Sequence, residues 1–284
     1  MRINTNINSM RTQEYMRQNQ DKMNTSMNRL SSGKRINSAA DDAAGLAIAT
    51  RMRAKENGLG VASRNTQDGI SLIRTADSAL NSVSNILLRM RDLAVQSANG
   101  TNSGDDRTAI DKEFGQLINQ IDYIAKNTAF NGTTLLNGSK DADDKPVKTS
   151  SIAIKTYDDG GAADISITLA SANAVDLGLA TEASGTLTPT SVTAKDIITT
   201  IDTKLKDIAT SRADLGATLN RLDFNVANLN SQASSMASSA SQIEDADMAK
   251  EMSEMTKFKI LNEAGISMLS QANQTPQMVS KLLQ

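Results

Sequence analysis

Between residues 194 and 240, apolar side chains recur in alternating steps of four and three, at Ile201, Leu205, Ile208, Leu215, Leu219, Leu222, Val226, Leu229, Ala233, Met236 and Ala240. Arg212 is the one charged residue on this stripe. A heptad seam of that length predicts a helix of about 45 residues, roughly 65 Å long, that needs a partner helix along its course. A second strict stripe, Ile73, Ala76, Leu80, Val83, Leu87, Met90 and Ala94, marks a helix over 42–98 and weakens backwards through Leu59, Met52 and Ile48. A third helix is predicted over 105–128, with Ile110, Phe114, Leu117, Ile121 and Ile124 on one face and Asp105 or Asp106 as its N-cap region.

The two ends of the chain carry helical patterns of their own. Near 5–33 the apolar positions are Ile3, Ile7, Met10, Met16, Met23, Met27 and Leu30. Ser238, Ser239 and Ser241 read as a break after the long helix. A last helix from about 245 then places Met248, Met252, Met255, Phe258, Leu261, Met268, Leu269 and Ala272 on a recurring face. Pro276 is expected to interrupt it before Met278, Val279, Leu282 and Leu283. Asn57-Gly58 can sit within or between helices, whereas Asn99-Gly100, Asn131-Gly132 and Asn137-Gly138 read as loops. Gly33 marks a bend between helix segments.

The middle of the chain, roughly 130–192, loses the helical period. Ser151–Ile154 and Asp164–Leu169 alternate in polarity, and Asp158-Asp159-Gly160-Gly161 between them is a turn signal, so a β-hairpin is expected. The expected fold class is therefore mainly α: an elongated antiparallel helical bundle or coiled coil. The 42–98 and 194–240 helices pack together, 105–128 is a third member, the hairpin caps the far end, and the terminal helices pair. The domain division that follows is 1–41 with 242–284, 42–130 with 193–241, and a small exposed region at 131–192.

Composition sharpens this picture. Aromatic residues are only 2% of the chain and tryptophan is absent, so Leu, Ile, Ala and Met must build the buried surface, which suits thin helix seams. The chain has no histidine and no cysteine, which removes Ser-His-Asp and Cys-His catalysis, zinc sites built on those residues, and disulfides. No catalytic, cofactor-binding or metal-binding residue is assigned, and an enzyme is not expected. Ser31–Lys34 fits S-x-x-K without its companion motifs, and Asp141, Asp143 and Asp144 lack the glycine and glutamate of a calcium loop. Net charge is −2, which gives no electrostatic case for nucleic acid or membrane. No apolar run spans a bilayer, and MRINTNINSM has no apolar core of a secretory signal.

Charge and methionine single out the ends. Residues 1–40 carry seven basic against two acidic side chains, and residues 241–284 carry six acidic against four basic ones, which favours pairing of the two ends. Ten of the thirteen methionines lie in the first 30 or last 37 residues. Methionine fills irregular interfaces. Two thin helices offset little of the entropy of ordering them, so the termini are expected to order when several copies surround them.

The block NRLSSGKRINSAADDAAGLAIAT at Asn28–Thr50 resembles the N-terminal signature of bacterial flagellin. The similarity continues in MRINTNINSM, in QDGISLIRTADSALNSVSNILLRMRDLAVQSANGT from Gln67 and in FNGTTLLNG from Phe130. It returns in SRADLGATLNRLDFNVANL from Ser211, ADMAKEMSEMTKFKIL from Ala246 and SMLSQANQTPQMVSKLL from Ser267. The resemblance implies a filament subunit without large outer domains, exported unfolded by the flagellar type III apparatus and added at the distal tip. It implies an inner layer built on Ile3, Ile7, Met10, Met23, Met27, Leu30, Met248, Met252, Met255, Phe258, Leu261, Met268, Leu269, Leu282 and Leu283. Around it lies a layer whose seam is Ile73, Leu80, Val83, Leu87, Met90, Leu205, Ile208, Leu215, Leu219, Leu222, Val226 and Leu229. It implies as partners other subunits, the filament cap and hook-junction proteins, an export chaperone, and the vertebrate innate immune receptor for flagellin. The matching receptor-contact positions are Arg89, Leu93 and Glu113, with Leu93 expected to be partly exposed beside the seam. The localisation implied is extracellular, in the flagellum.

Overall fold

The computed structural model describes residues 6–140, 146–147, 149–157, 164–181, 185–186 and 194–282. Its helices are α1 (Ile7–Ser32), α2 (Ala43–Ser97), α3 (Gly104–Asn127), α4 (Ala194–Glu244) and α5 (Met248–Leu282). The described chain divides into two compact units, Met1–Glu56 with Ala233–Gln284, and Asn57–Gln232. The fold is mainly α with paired terminal helices and small antiparallel strands, as the polarity pattern predicts.

In the unit Asn57–Gln232, α2 and α4 run antiparallel. Ser63 pairs with Asn230, Thr66 with Asn225, Asp77 with Arg212 and Arg91 with Asp202, so the partner's number falls as the α2 number rises. The two heptad stripes face each other: Ile73, Leu80, Val83, Leu87, Met90, Ile208, Leu215, Leu222 and Leu229 are buried, and Leu205, Leu219 and Val226 are half-buried against them. Arg212, the charge on the stripe, reaches Asp77 (2.7 Å) and Asn81 (3.1 Å) at the seam's edge, keeping its head partly in water. α3 packs the same core through Ile110, Phe114, Ile118 and Ile121.

The cap of α3 differs from expectation. Ser103, not Asp105 or Asp106, is the N-cap: its hydroxyl accepts from the Asp106 amide and the Asp106 carboxylate accepts from the Ser103 amide. A serine hydroxyl reaches the exposed amide from outside the helix, and Asp106 at the third position closes the box.

Among the described residues, four two-stranded antiparallel pairs occupy the middle of the chain: β1 (Ala129–Phe130) with β2 (Thr133–Thr134), β3 (Ser139–Lys140) with β4 (Pro146–Val147), β5 (Thr149–Ile154) with β6 (Ile165–Ala170), and β7 (Ala180–Thr181) with β8 (Gly185–Thr186). The β5–β6 hairpin is the one the alternation predicts, in the register Ile152↔Ile167, with its expected turn at 158–161 outside the described residues. The other pairs are two residues per strand, too short to leave a period-two signal. Asn131 and Gly132 both take positive φ (48° and 79°), the geometry of a two-residue hairpin turn. β5 does not cap the end of the helices. Ile154 lies against Gly69 in the interior of α2, where an added Cβ would come within 3.1 Å of it, and Asn65 Nδ2 donates to the Lys155 carbonyl. The bare glycine surface is what seats the strand there.

In the unit Met1–Glu56 with Ala233–Gln284, α4 runs through Ser238, Ser239 and Ser241 and stops at Glu244. The reversal falls at Asp245–Asp247 because Asp247 caps α5, accepting from the Ala249 and Lys250 amides (3.0 and 3.2 Å). Three serines in a long helix are a weak propensity penalty that this cap outweighs. Pro276 likewise does not end α5. It removes the amide that would meet the Ala272 carbonyl, and Asn6 Nδ2 supplies that hydrogen bond instead at 2.8 Å.

Candidate assembly surface

α1 and α5 form an antiparallel pair, and the way each helix is started and stopped sets its geometry. Asn6 caps α1 by accepting from the Ser9 amide. Gly33 ends it in the left-handed region (φ 72°), its amide bonded to the Arg29 carbonyl. Along α1 the side facing α5 carries Ser9, Thr12, Met16, Asn19, Met23, Ser26 and Leu30, all buried or half-buried. Along α5 the facing side carries Glu251, Met255, Phe258, Asn262, Gly265, Leu269 and Ala272. Both sets keep alternating steps of three and four.

This seam is more polar and smaller than the apolar stripe the sequence suggests. Gln20 Oε1 accepts from Asn262 Nδ2 (2.7 Å), Arg29 Nη1 donates to Glu251 Oε1 (3.3 Å), and the side chain of Met16 lies where a Cβ on Gly265 would be, 2.8 Å from its Cγ. Lys22 Nζ sits 5.7 Å from the centre of the Phe258 ring. Arg29 Nε and Glu251 Oε2 are buried and without a hydrogen-bond partner among the described residues.

The anchors named from the sequence therefore divide. Met23, Leu30, Met255, Phe258 and Leu269 line the seam. Ile7, Met10, Met27, Met248, Met252, Leu261 and Met268 point away from it and are exposed, Met10 by 61% and Met268 by 63%. Ile260 and Ile266 join them, and periodicity reasoning missed both because they lie off the single stripe it followed. Ile3 and Leu283 lie outside the described residues, and Leu282 is described only as helix backbone. So the apolar side chains of the terminal helices divide between a mixed seam inside the pair and exposed positions on the rest of each helix.

A charged cluster joins these helices at the end of α1. Glu244, buried at the last residue of α4, takes Lys34 Nζ on Oε1 and Arg53 Nη2 on Oε2 (3.4 Å). Its carbonyl accepts from the amides of Arg35 (2.7 Å) and Ile36 (3.4 Å), Arg35 Nη2 donates to the Ile243 carbonyl, and the Gly33 carbonyl accepts from the Ala246 amide. The hydrogen bond from Lys34 holds the Glu244 carboxyl below its ordinary range, against the burial that raises it. Beyond it, Asp41 accepts from the Ser38 and Asn37 amides and the Ser38 hydroxyl, which lower its pKa, and Asp42 accepts from the Gly45 amide at the start of α2.

On the α2–α3 face, Arg89 grips Glu113 through Nε (2.9 Å) and Nη2 (2.7 Å), and both side chains stay about half exposed. Leu93 between them in sequence is not partly exposed: it is 1% exposed and belongs to the core. Residues 93 and 94 lie about 100° apart on the helix, and two partners cover α2 here, so its buried arc is wider than one heptad stripe. No group of three or more acidic, histidine or cysteine side chains able to hold a metal occurs among the described residues. Nor is any described helix long and apolar enough to cross a membrane.

Comparison with known proteins matches residues 3–141 to the bacterial flagellin N-terminal helical region and residues 198–283 to the bacterial flagellin C-terminal helical region. The flagellin of Listeria innocua serovar 6a is 47% identical over 292 residues, covering 100% of this chain and 99% of its own. That of Halalkalibacterium halodurans is 43% identical over 283 residues, covering 100% of both chains. Among solved structures, the crystal structure of Bacillus cereus flagellin is 43% identical, covers 62% of this chain and 94% of its own, and has a TM-score of 0.45.

Proposed function

Since this chain belongs to the bacterial flagellin family and is a structural subunit of the flagellar filament, we propose that filament growth consists of burying the exposed apolar side chains of α1 and α5 against neighbouring copies. The observation that carries this reading is the exposure of Ile7, Met10 and Met27 on α1 and of Met248, Met252, Ile260, Leu261, Ile266 and Met268 on α5, apolar side chains that the intrachain seam leaves uncovered. Each such side chain is worth about 1.5–3 kcal/mol when fully buried, so a handful per helix supplies the gain that a polar intrachain seam does not. Segments 1–41 and 242–284 then form the inner packing layer and segments 42–130 and 193–241 the layer around it; the middle segment is not simply an exposed region, since its Leu135, Leu136, Ile167 and Leu169 are buried in the core of the α2–α3–α4 unit.

Subunits reach the growing tip unfolded through the flagellar type III export apparatus, with the C-terminal helix held by an export chaperone beforehand and the filament cap guiding addition. The first copies meet the hook-junction proteins. A chain without cysteine forms no disulfide that would resist threading. For the innate immune receptor, the exposed Arg89–Glu113 pair is the recognition feature on this chain, and the buried Leu93 acts by holding that pair in place.

Purified chain added to short filament seeds should give long helical filaments by electron microscopy. A chain lacking 1–41 and 242–284 should keep the α2–α3–α4 core and stay monomeric. A full chain that never elongates seeds would sink the reading.

A further inference from the structure

The α1–α5 seam chooses its own register only weakly. Sliding α1 by one heptad, about 10 Å at 1.5 Å per residue, keeps several of the seam contacts, although it carries Asn6 away from the Ala272 carbonyl and sets a serine over Gly265. Lys22 takes the place of Arg29 opposite Glu251, Gln13 that of Gln20 opposite Asn262, Met16 that of Met23, and Ser9 that of Met16 over Gly265. Polar residues in a seam specify register only when the slipped state leaves them unpaired, and here the Glu251 and Asn262 side chains stay paired while the Asn6 contact alone is lost.

The larger loss in the slipped state is the cluster at Glu244. That one buried carboxylate holds Lys34 just past the end of α1 and Arg53 in α2, while standing on the last residue of α4. The backbone beside it is paired as well, through Lys34↔Asp245 and the Ala246 amide on the Gly33 carbonyl. A slip of α1 drags Lys34 away and leaves Glu244 and Arg53 to adjust around an incomplete site. We propose that Glu244 is a positioning residue for filament assembly: its two-cation clamp selects one register of the terminal pair, and that register sets which outward apolar residues a second copy of the chain meets. The proposal rests on the filament reading above for its second half only.

The chain has no cysteine, so introduced cysteines report register without background. In an otherwise unchanged chain, Met16→Cys with Gly265→Cys should close to a disulfide under mild oxidation, and Met16→Cys with Phe258→Cys, the pair one heptad away, should stay reduced. In Glu244→Ala the second pair should close as well. Seeded elongation should fall at least tenfold while helical content by circular dichroism is retained. Locking the 16–265 disulfide in the Glu244→Ala chain should bring elongation back to within about twofold of the parent.

Three results overturn the proposal: the 16–258 pair staying reduced in Glu244→Ala, elongation unaffected by that substitution, or no recovery when the 16–265 disulfide is locked. Should Glu244→Ala lose helical content, Lys34→Met and Arg53→Met each remove one arm of the clamp and must show the same slip. A parent chain that fails to elongate refutes the filament reading instead, and the disulfide pattern still decides what sets the register.

Discussion

Leu93 is the sharpest test of how the helices pack. On a single heptad stripe it sits beside the seam and is half open to water; with α3 and α4 both covering α2 it is 1% exposed. The two pictures differ in energy. A leucine at the edge of a seam loses well under 1 kcal/mol on truncation to alanine, whereas Leu→Ala in a close-packed core costs about 2.7–5 kcal/mol, the transfer free energy plus the cavity left behind. Taking about 3 kcal/mol and a urea dependence of about 2–3 kcal/mol per molar for a domain of this size, Leu93→Ala should lower the unfolding midpoint by about 1–1.5 M. Leu88, 49% exposed one residue behind Arg89, is the control and should move by no more than about 0.3 M. Urea titration followed by far-ultraviolet circular dichroism measures both. If Leu93→Ala shifts the midpoint no more than Leu88→Ala, α3 does not cover that face of α2 and the packing described here is wrong. The same result bears on immune recognition: Leu93→Asp should cut receptor signalling by unfolding the α2–α3 face, whereas Arg89→Ala or Glu113→Ala should do so with the midpoint nearly unchanged.

Acid should act at Glu244. Its folded pKa lies below the ordinary value of 4.5, chiefly through the Lys34 hydrogen bond, so the stability it contributes is present above that value and is lost as pH falls through the folded one. Glu244→Gln should therefore flatten the decline in helical content and in seeded elongation below about pH 4.5, while lowering stability at pH 7; an unchanged acid profile would contradict this. Ser103→Ala removes the hydroxyl half of the α3 capping box and should cost about 1 kcal/mol in chemical denaturation. Gly33→Ala forces a side chain into left-handed backbone (φ 72°) and should cost about 1 kcal/mol at the end of α1, read as faster amide exchange of Leu30–Ser32. Arg212→Leu gives up a part-exposed ion pair with Asp77, so its effect on thermal unfolding should stay within about 1 kcal/mol and shrink in high salt.

The heptad stripes were legible because each helix is long, uninterrupted by proline and paired along its length with one main partner. Alternation over 151–154 and 164–169 revealed the one hairpin with enough residues to show it. The exclusion of histidine- and cysteine-based chemistry and the terminal motifs were also plain, since they need only residue identity and order. What periodicity could not decide was which side of a helix meets which neighbour when there is more than one. Leu93 belongs to an arc widened by a second partner helix. Met10, Met27, Met252 and Met268 belong to the same apolar pattern as Met23 and Met255 yet stay exposed, because the seam closes instead on small and polar residues such as Ser9, Ser26, Asn262 and Gly265. Two contacts at helix ends were equally a tertiary matter: Glu244 and Asn6 act through Lys34 and the Ala272 carbonyl, each more than 200 residues away, and no local window contains both partners. Sequence by itself determined the helices, their amphipathic character and the family; only the folded chain decided which apolar side chains are buried within the molecule and which stay exposed, because that depends on which neighbours each helix meets.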